Sequence, residues 1–225
     1  MTFFRFGFVV SLIILVQSIG LAQSGCVEIK RILVAACGNQ EGYNEMVLFE
    51  VGDNPLNTSS MDIKWATSDM ANFYNFLGLV QNSTTATKVA EFNASIQSCG
   101  YFKEPVNGVL PAHSKVIVFT SHQVNTTANS FAGLTDTLIA LFQNNTTQTG
   151  GHFLNYSAFA PQDEDIQTTR ISFGSSCSDE VSYLRSNLVN TSGQPGNEKG
   201  SAVVFSDEGS PHYVNYGCVG IYNPY

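Results

Sequence analysis

Histidines and short acidic runs are the residues of this chain whose types could support acid–base or metal chemistry. The four histidines, His113, His122, His152 and His212, are scattered at spacings that do not predict shared metal ligation. His122 follows Ser121 at the end of an apolar run, but adjacent side chains of an extended segment point to opposite sides. The sequence also lacks G-x-S-x-G, H-E-x-x-H, phosphate-loop and dinucleotide-binding motifs. We therefore expect a protein that is not an enzyme.

Two acidic runs are candidates for calcium binding. Asp163, Glu164 and Asp165 place three carboxylates in one loop, and Asp207-Glu208 is followed by Gly209 in another. Calcium takes six to eight oxygen ligands, which such loops in secreted proteins often supply. The spacing differs from that of an EF-hand, and acidic runs are most often solvated turns. The sequence predicts no cofactor, with calcium as the alternative.

The charge balance argues against two classes of partner. The 225 residues include 10 basic and 18 acidic side chains, a formal net charge of −8. Binding to nucleic acid or to an anionic membrane surface depends on clustered Lys and Arg, so neither is an expected partner. Since only 12% of residues are charged, the solvated surface must consist largely of Asn, Thr, Ser and Gln.

The first 22 residues have the pattern of a secretory signal peptide. A single positive charge, Arg5, precedes an apolar run, and the segment ends in Gly20-Leu21-Ala22, small residues that suit signal peptidase. We expect no membrane span after its removal. The alternative is a lipidated N-terminus at Cys26, although Gln23 occupies a position where a lipoprotein signal favours an aliphatic residue. Residues 23–225 then form one domain, secreted or at the cell surface.

Five cysteines follow the signal segment, and export makes disulfides the expectation. No C-x-x-C or Cys/His spacing predicts a zinc site. The preferred pairing joins Cys37 to Cys99 and Cys177 to Cys218, and it leaves Cys26 near the flexible start. Sequence alone does not fix this connectivity.

The segment from Ile32 to Thr58 predicts a strand, a short acidic loop over Gly38–Asn44, and a second strand. Met46–Val51 is apolar at every position except Glu50, which indicates a strand covered on both faces. A helix is expected over Lys88–Gln97, and Gln81–Thr87 is interpreted as a polar turn. The remaining predicted strands are 61–65, 115–120, 137–142, 152–156, 168–173, 181–188, 202–205 and 212–216. Many short strands separated by turns predict an all-β sandwich with one or two short peripheral helices.

The motifs ILVAACG, EGYNEMVLFEVG and NPLNT at 32–58 resemble a lamin-tail-like N-terminal domain of secreted Bacteroidetes proteins, often gliding-associated or cell-surface ones. CGYFKEPVNGVLPAHSKVIVFTS at 99–121 and the segments 134–143, 173–183 and 213–218 extend the resemblance over nearly the whole mature chain. The resemblance implies an immunoglobulin-like sandwich in which an Asn-Glu pair, here Asn44 and Glu45, opens a strand. It also implies that Glu45 is structural and accepts hydrogen bonds from a neighbouring loop. A partly buried carboxylate with such donors would keep its charge and hold Gly38–Asn44. The alternative is that Glu45 recognises a ligand at that loop.

These observations together predict a secreted, non-catalytic interaction or adhesion module that contacts protein or polysaccharide at the bacterial cell surface. A carbohydrate-binding module is the first alternative, prompted by the Tyr and Phe residues in segments 73–79 and 213–225. A secreted hydrolase with an unrecognised site is the second, since a fold does not determine a function.

Overall fold

The computed structural model describes residues 25–66, 74–153, 166–196 and 198–219. Within these ranges lie two α-helices, α1 (Glu41–Asn44) and α2 (Ser83–Ser95), and two 3-10 helices, Thr58–Ser60 and Arg185–Asn187. No helix of the described chain is long and apolar enough to cross a membrane. The strands are β1 (Val27–Leu33), β2 (Met46–Val51), β3 (Leu56–Asn57), β4 (Met61–Lys64), β5 (Leu79–Val80), β6 (Tyr101–Lys103), β7 (Val109–Leu110), β8 (Lys115–Phe119), β9 (Thr137–Gln143), β10 (Ile166–Phe173), β11 (Cys177–Leu184), β12 (Ser201–Phe205) and β13 (Pro211–Asn215).

The protein is an all-β sandwich built on one large sheet. Eight strands form it, in the order β13-β12-β1-β2-β8-β9, with β5 and β6 sharing the outer edge of β9. β9 runs parallel to β8 and to β6, and the other pairs are antiparallel. A three-stranded sheet, β11-β10-β4, covers one face, and β3 and β7 form a separate pair. The predicted all-β sandwich is confirmed.

Both faces of the central strands of the large sheet are largely buried, which explains their nearly continuous apolar sequences. On one face, Phe49 packs edge-to-face on Phe173 of the small sheet, with ring centroids 6.0 Å apart. On the other face, Phe92 of α2 stacks on Phe119 of β8 at 4.9 Å. The prediction for Met46–Val51 is confirmed, since every residue of this strand except Glu50 is buried.

Helix α2 begins earlier than its apolar spacing predicts. Asn82 accepts hydrogen bonds from the amides of Thr84 and Thr85, and the Thr85 hydroxyl in turn receives the amide of Asn82. This reciprocal capping box satisfies amides that a helix start leaves unpaired. The interpretation of Gln81–Thr87 as a turn is therefore wrong, because most of that segment is the first part of the helix.

The disulfides differ from the preferred pairing. Cys26 bonds Cys177 and Cys37 bonds Cys218, with Cα atoms 5.7 and 5.6 Å apart, while Cys99 is a free, exposed thiol. The pairs of Cys37 with Cys99 and of Cys177 with Cys218 are thus wrong. The lipidated N-terminus also fails, since the sulfur of Cys26 is already bonded.

The topology of the sheet explains the observed connectivity. Cys26 and Cys37 flank opposite ends of β1, so they require different partners. Cys26 lies where β1 packs against β11, which begins at Cys177. Leu33 pairs with Ala202, which pairs with Val214, so β1 and β13 end at the same end of the sheet. Cys37 follows β1 and Cys218 follows β13, so the two cysteines meet there. β6, just after Cys99, is four strands from β1, about 19 Å at the usual strand spacing.

Several predictions concern residues that the structure does not describe. The signal segment 1–22 and the carboxylates Asp163, Glu164 and Asp165 lie outside the described residues, as do most of the predicted strand 152–156 and the end of segment 213–225. His152 and Phe153, the described part of that strand, form a bend instead.

Candidate functional site

Three loops meet at one end of the large sheet. β1, β8 and β9 all end there, and β2 begins there, because β2 is antiparallel to β1 and β8 whereas β8 and β9 are parallel. The segments after β1, β8 and β9 therefore converge on the Asn44-Glu45 pair at the start of β2. Side chains that follow neighbouring strands at the same end of a sheet can contact one another, so this end is a candidate functional site.

Asn44 joins the loop after β1 to the loop after β8. Its side-chain amide donates to the Cys37 carbonyl at 2.8 Å, and its side-chain oxygen accepts from the Asn125 amide at 2.9 Å. Gly38 leaves room for this amide, because a Cβ there would lie 2.7 Å from Asn44 Nδ2. Its φ of +92° also lies in the left-handed region that favours glycine. The buried Asn44 thus holds two loops at fixed positions.

Glu45 joins β2 to the loop after β9. Its Oε2 accepts from the His152 backbone amide at 2.6 Å and lies 3.1 Å from His152 Nδ1. Complete burial raises the pKa of Glu45 well above its ordinary value of 4.5, and nearby Glu41 adds to this rise. The amides of His152 and Phe153 and the charge of Lys199 oppose the rise without cancelling it.

Two sequence expectations for Glu45 therefore need correction. Burial without a full counter-charge favours the neutral form of this carboxyl group rather than the charged form. Its side chain holds residues 152–153 rather than Gly38–Asn44, and the latter loop is held by Asn44 instead.

His152 completes a buried polar chain. The Gln143 side-chain oxygen accepts from Trp65 Nε1 at 2.9 Å. The Gln143 side-chain nitrogen therefore points the other way, where it donates to the Thr120 carbonyl and lies 3.2 Å from His152 Nε2. Nε2 also lies 3.2 Å from Gln148 Oε1, so it accepts from Gln143 in one tautomer and donates to Gln148 in the other. Burial lowers the pKa of His152 from 6.5 to about 3, so the imidazole is neutral.

Aromatic rings and the loop backbone enclose this pair. The Trp65 ring lies edge-on to His152, with centroids 5.3 Å apart, and the Tyr74 ring lies at 5.1 Å. Glu45 and His152 both have 0% relative exposure. Gly42 packs against the same loop so closely that a Cβ would lie 1.8 Å from the Gly150 carbonyl oxygen. An enclosed carboxyl–imidazole pair can position loops, but neither side chain is accessible to a substrate in this conformation.

The sequence alone does not indicate that His152 belongs to the site. It lies 107 positions from Glu45, and its sequence neighbours predict only a short strand. Gly150 and Gly151 directly precede His152. Such a glycine pair can indicate a close approach of two backbone segments, here that of Gly42 to Gly150.

Among the other candidates, the residues that the structure describes do not join this cluster. Ser121 donates to the Asn145 carbonyl, whereas the His122 ring lies 3.4 Å from the Gln143 carbonyl, so the two side chains have different partners. Asp207 pairs with Lys30, and Glu208 accepts from Ser206 in the β12–β13 turn. Within the described ranges no group of three potential metal ligands occurs.

A second feature is an open groove at the opposite ends of the same strands. It has a volume of about 300 Å³ and crosses the face of the large sheet from β12 to β9. Four strand spacings make its length about 19 Å. We call it the sheet groove, and six residues define it: Arg31, Leu48, Glu50, Lys115, Asp136 and Val204.

Strand register explains why these side chains share the groove. Arg31 lies opposite both Leu48 and Val204, and Glu50 lies opposite Lys115. Directly paired residues point to the same side of a sheet. Leu48 and Val204 form an apolar floor between charged side chains, and the Lys115 amine lies 2.5 Å from Asp136 Oδ2.

The comparisons with known proteins add no relative. No protein-family model, curated protein or solved structure matches this chain. The buried polar chain and the sheet groove are therefore the features from which a function can be inferred.

Proposed function

We propose that this chain is an extracytoplasmic, non-catalytic module that binds protein or polysaccharide at the bacterial cell surface. One contrast carries the proposal: the carboxyl–imidazole pair of Glu45 and His152 is enclosed and used to hold loops, whereas the sheet groove is open to solvent. Groups that cannot meet a substrate do not act on it, but an open groove with charged walls can hold a ligand.

The disulfides support the extracytoplasmic part of the proposal. Two bridges, with sequence separations of 151 and 181 residues, hint at folding in an oxidising compartment. The hydrophobic N-terminal segment and the resemblance to secreted Bacteroidetes proteins favour export to the cell surface. The net charge of −8 favours neither nucleic acid nor an anionic membrane as the partner.

A pull-down tests the proposal. Oxidised protein comprising residues 23–225 is immobilised and exposed to the producer's cell-envelope fraction and to common polysaccharides, with and without calcium. The control surface carries the same chain after reduction, alkylation and unfolding. We expect saturable capture of a protein or glycan by the folded chain only. Absence of capture in both calcium conditions would overturn the proposal.

A further inference from the structure

The sheet groove combines three features that restrict its ligand. It is elongated across the strands, its floor is apolar at Leu48 and Val204, and its walls carry both hydrogen-bond donors and acceptors. Arg31 and Lys115 can only donate, and Glu50 and Asp136 in their charged forms can only accept. A ligand that fits must offer both kinds of partner along its length.

The charges of the groove nearly balance. Lys30 pairs with Glu28 and with Asp207, the latter at 2.8 Å, and Lys115 pairs with Asp136. With Arg31 and Glu50, the groove and its margin hold three basic and four acidic side chains. A strongly charged ligand would leave unbalanced charge there, since these pairs already neutralise one another. The groove therefore suits an uncharged ligand.

We infer that the sheet groove binds a neutral oligosaccharide, an inference that rests on the proposed binding function. Each sugar hydroxyl both donates and accepts a hydrogen bond, which matches the mixed walls. The C–H faces of sugar rings are apolar, which matches the Leu48 and Val204 floor. The length of about 19 Å suits a chain of several sugar rings rather than one monosaccharide.

Two groove residues and two matched controls test the inference. Lys115→Ala removes a donor and Glu50→Ala removes an acceptor, and both side chains are half-buried on the groove. Lys103→Ala on β6 and Glu180→Ala on β11 remove the same charges from exposed positions outside the groove lining. Equal melting temperatures for all four variants and the original chain would show that each variant is folded.

The experiment is a printed array of neutral hexose and N-acetylhexosamine oligosaccharides, followed by calorimetric titration with the glycan that binds best. We expect binding, with dissociation constants raised about tenfold or more by Lys115→Ala and by Glu50→Ala, because hydrogen bonds to charged groups contribute at that level. Lys103→Ala and Glu180→Ala should change the constants less than about twofold.

Three results would overturn the inference. They are a blank array, binding only to anionic glycans, and groove variants that bind as the original chain does. If the array is blank while the pull-down captures an envelope protein, the oligosaccharide assignment fails and the binding function stands. If both are blank, both fail.

Discussion

Glu45 Oε2 lies 3.1 Å from Nδ1 of His152, and both side chains are wholly buried although they are 107 positions apart in the chain. Burial pushes their two pKa values in opposite directions, raising that of Glu45 and lowering that of His152 to about 3. Burial thus favours the neutral form of both groups. The pair connects β2 to the segment after β9 without the cost of burying two opposite charges.

The first prediction concerns the pH dependence of stability. The folded pKa of Glu45 lies above 4.5, so the unfolded chain loses this proton first and stability falls as pH rises above 4.5. The folded pKa of His152 lies below 6.5, so stability falls as pH drops from 6.5 toward 3. Between pH 4.5 and the folded pKa of Glu45, the Glu45 effect opposes the His152 effect. Urea unfolding of the original chain and of Glu45→Gln isolates the Glu45 effect, which should lower the stability of the original chain relative to the variant by up to about 1.4 kcal/mol per pH unit as pH rises above 4.5.

Glu45→Gln is the control for this prediction. Gln keeps an acceptor for the His152 amide but does not titrate, so the loss of stability that begins as pH rises above 4.5 should disappear, while the fall from pH 6.5 toward 3 remains. An unchanged pH profile in the variant would show that Glu45 is not responsible.

Parts of the fold that depend on local pattern were predictable from the sequence. Met46–Val51 and Lys115–Phe119 are short apolar strands bounded by polar residues, and their burial on both faces produces that pattern. The start of α2 was also readable in principle, because Asn82 and Thr85 stand at capping-box spacing. The apolar periodicity of the helix begins only after that polar first turn, so periodicity alone predicts a turn there.

Features that depend on long-range topology were not predictable. The disulfide pairs follow from the positions of β1, β11 and β13 in two sheets, and residue spacing carries no such information. The sheet groove arises from register among five strands, so its residues are scattered from Arg31 to Val204. The immunoglobulin-like assignment and the lamin-tail-like family remain predictions.

The second prediction concerns the cysteines. Cys37→Ala should lower the free energy of unfolding by about 2–5 kcal/mol, since it releases a long closed loop. Cys99→Ala, at an exposed free thiol, should change it by less than about 0.5 kcal/mol. Mass spectrometry of a non-reduced digest should find Cys26 linked to Cys177 and Cys37 linked to Cys218. A linked peptide that contains Cys99 would contradict this connectivity.

The third prediction tests the contact between α1 and the loop after β9. Gly42→Ala would place a methyl group 1.8 Å from the Gly150 carbonyl oxygen, so the backbone must shift. We expect a loss of about 2 kcal/mol or more in urea unfolding. Gly196→Ala is the matched control, because the nearest atom to its new Cβ lies 3.8 Å away. Equal effects of the two substitutions would exclude the close approach.

The fourth prediction concerns the cap of α2. Asn82→Ala removes a side chain that accepts from the amides of Thr84 and Thr85, and it should cost about 1 kcal/mol. Asn54→Ala, at an exposed loop position, should change stability by less than about 0.5 kcal/mol. Chemical unfolding of both variants provides the comparison. A helix start that tolerates Asn82→Ala as well as the loop tolerates Asn54→Ala would not depend on this cap.

The most direct test of binding against catalysis follows the fate of a captured ligand. The ligand recovered from the pull-down is incubated with catalytic amounts of the oxidised protein, and its mass is measured over time. The account predicts saturable binding and an unchanged ligand mass. Cleavage products that form with the original chain and are abolished by Glu45→Gln would contradict it, because they would make the enclosed Glu45–His152 pair an active site.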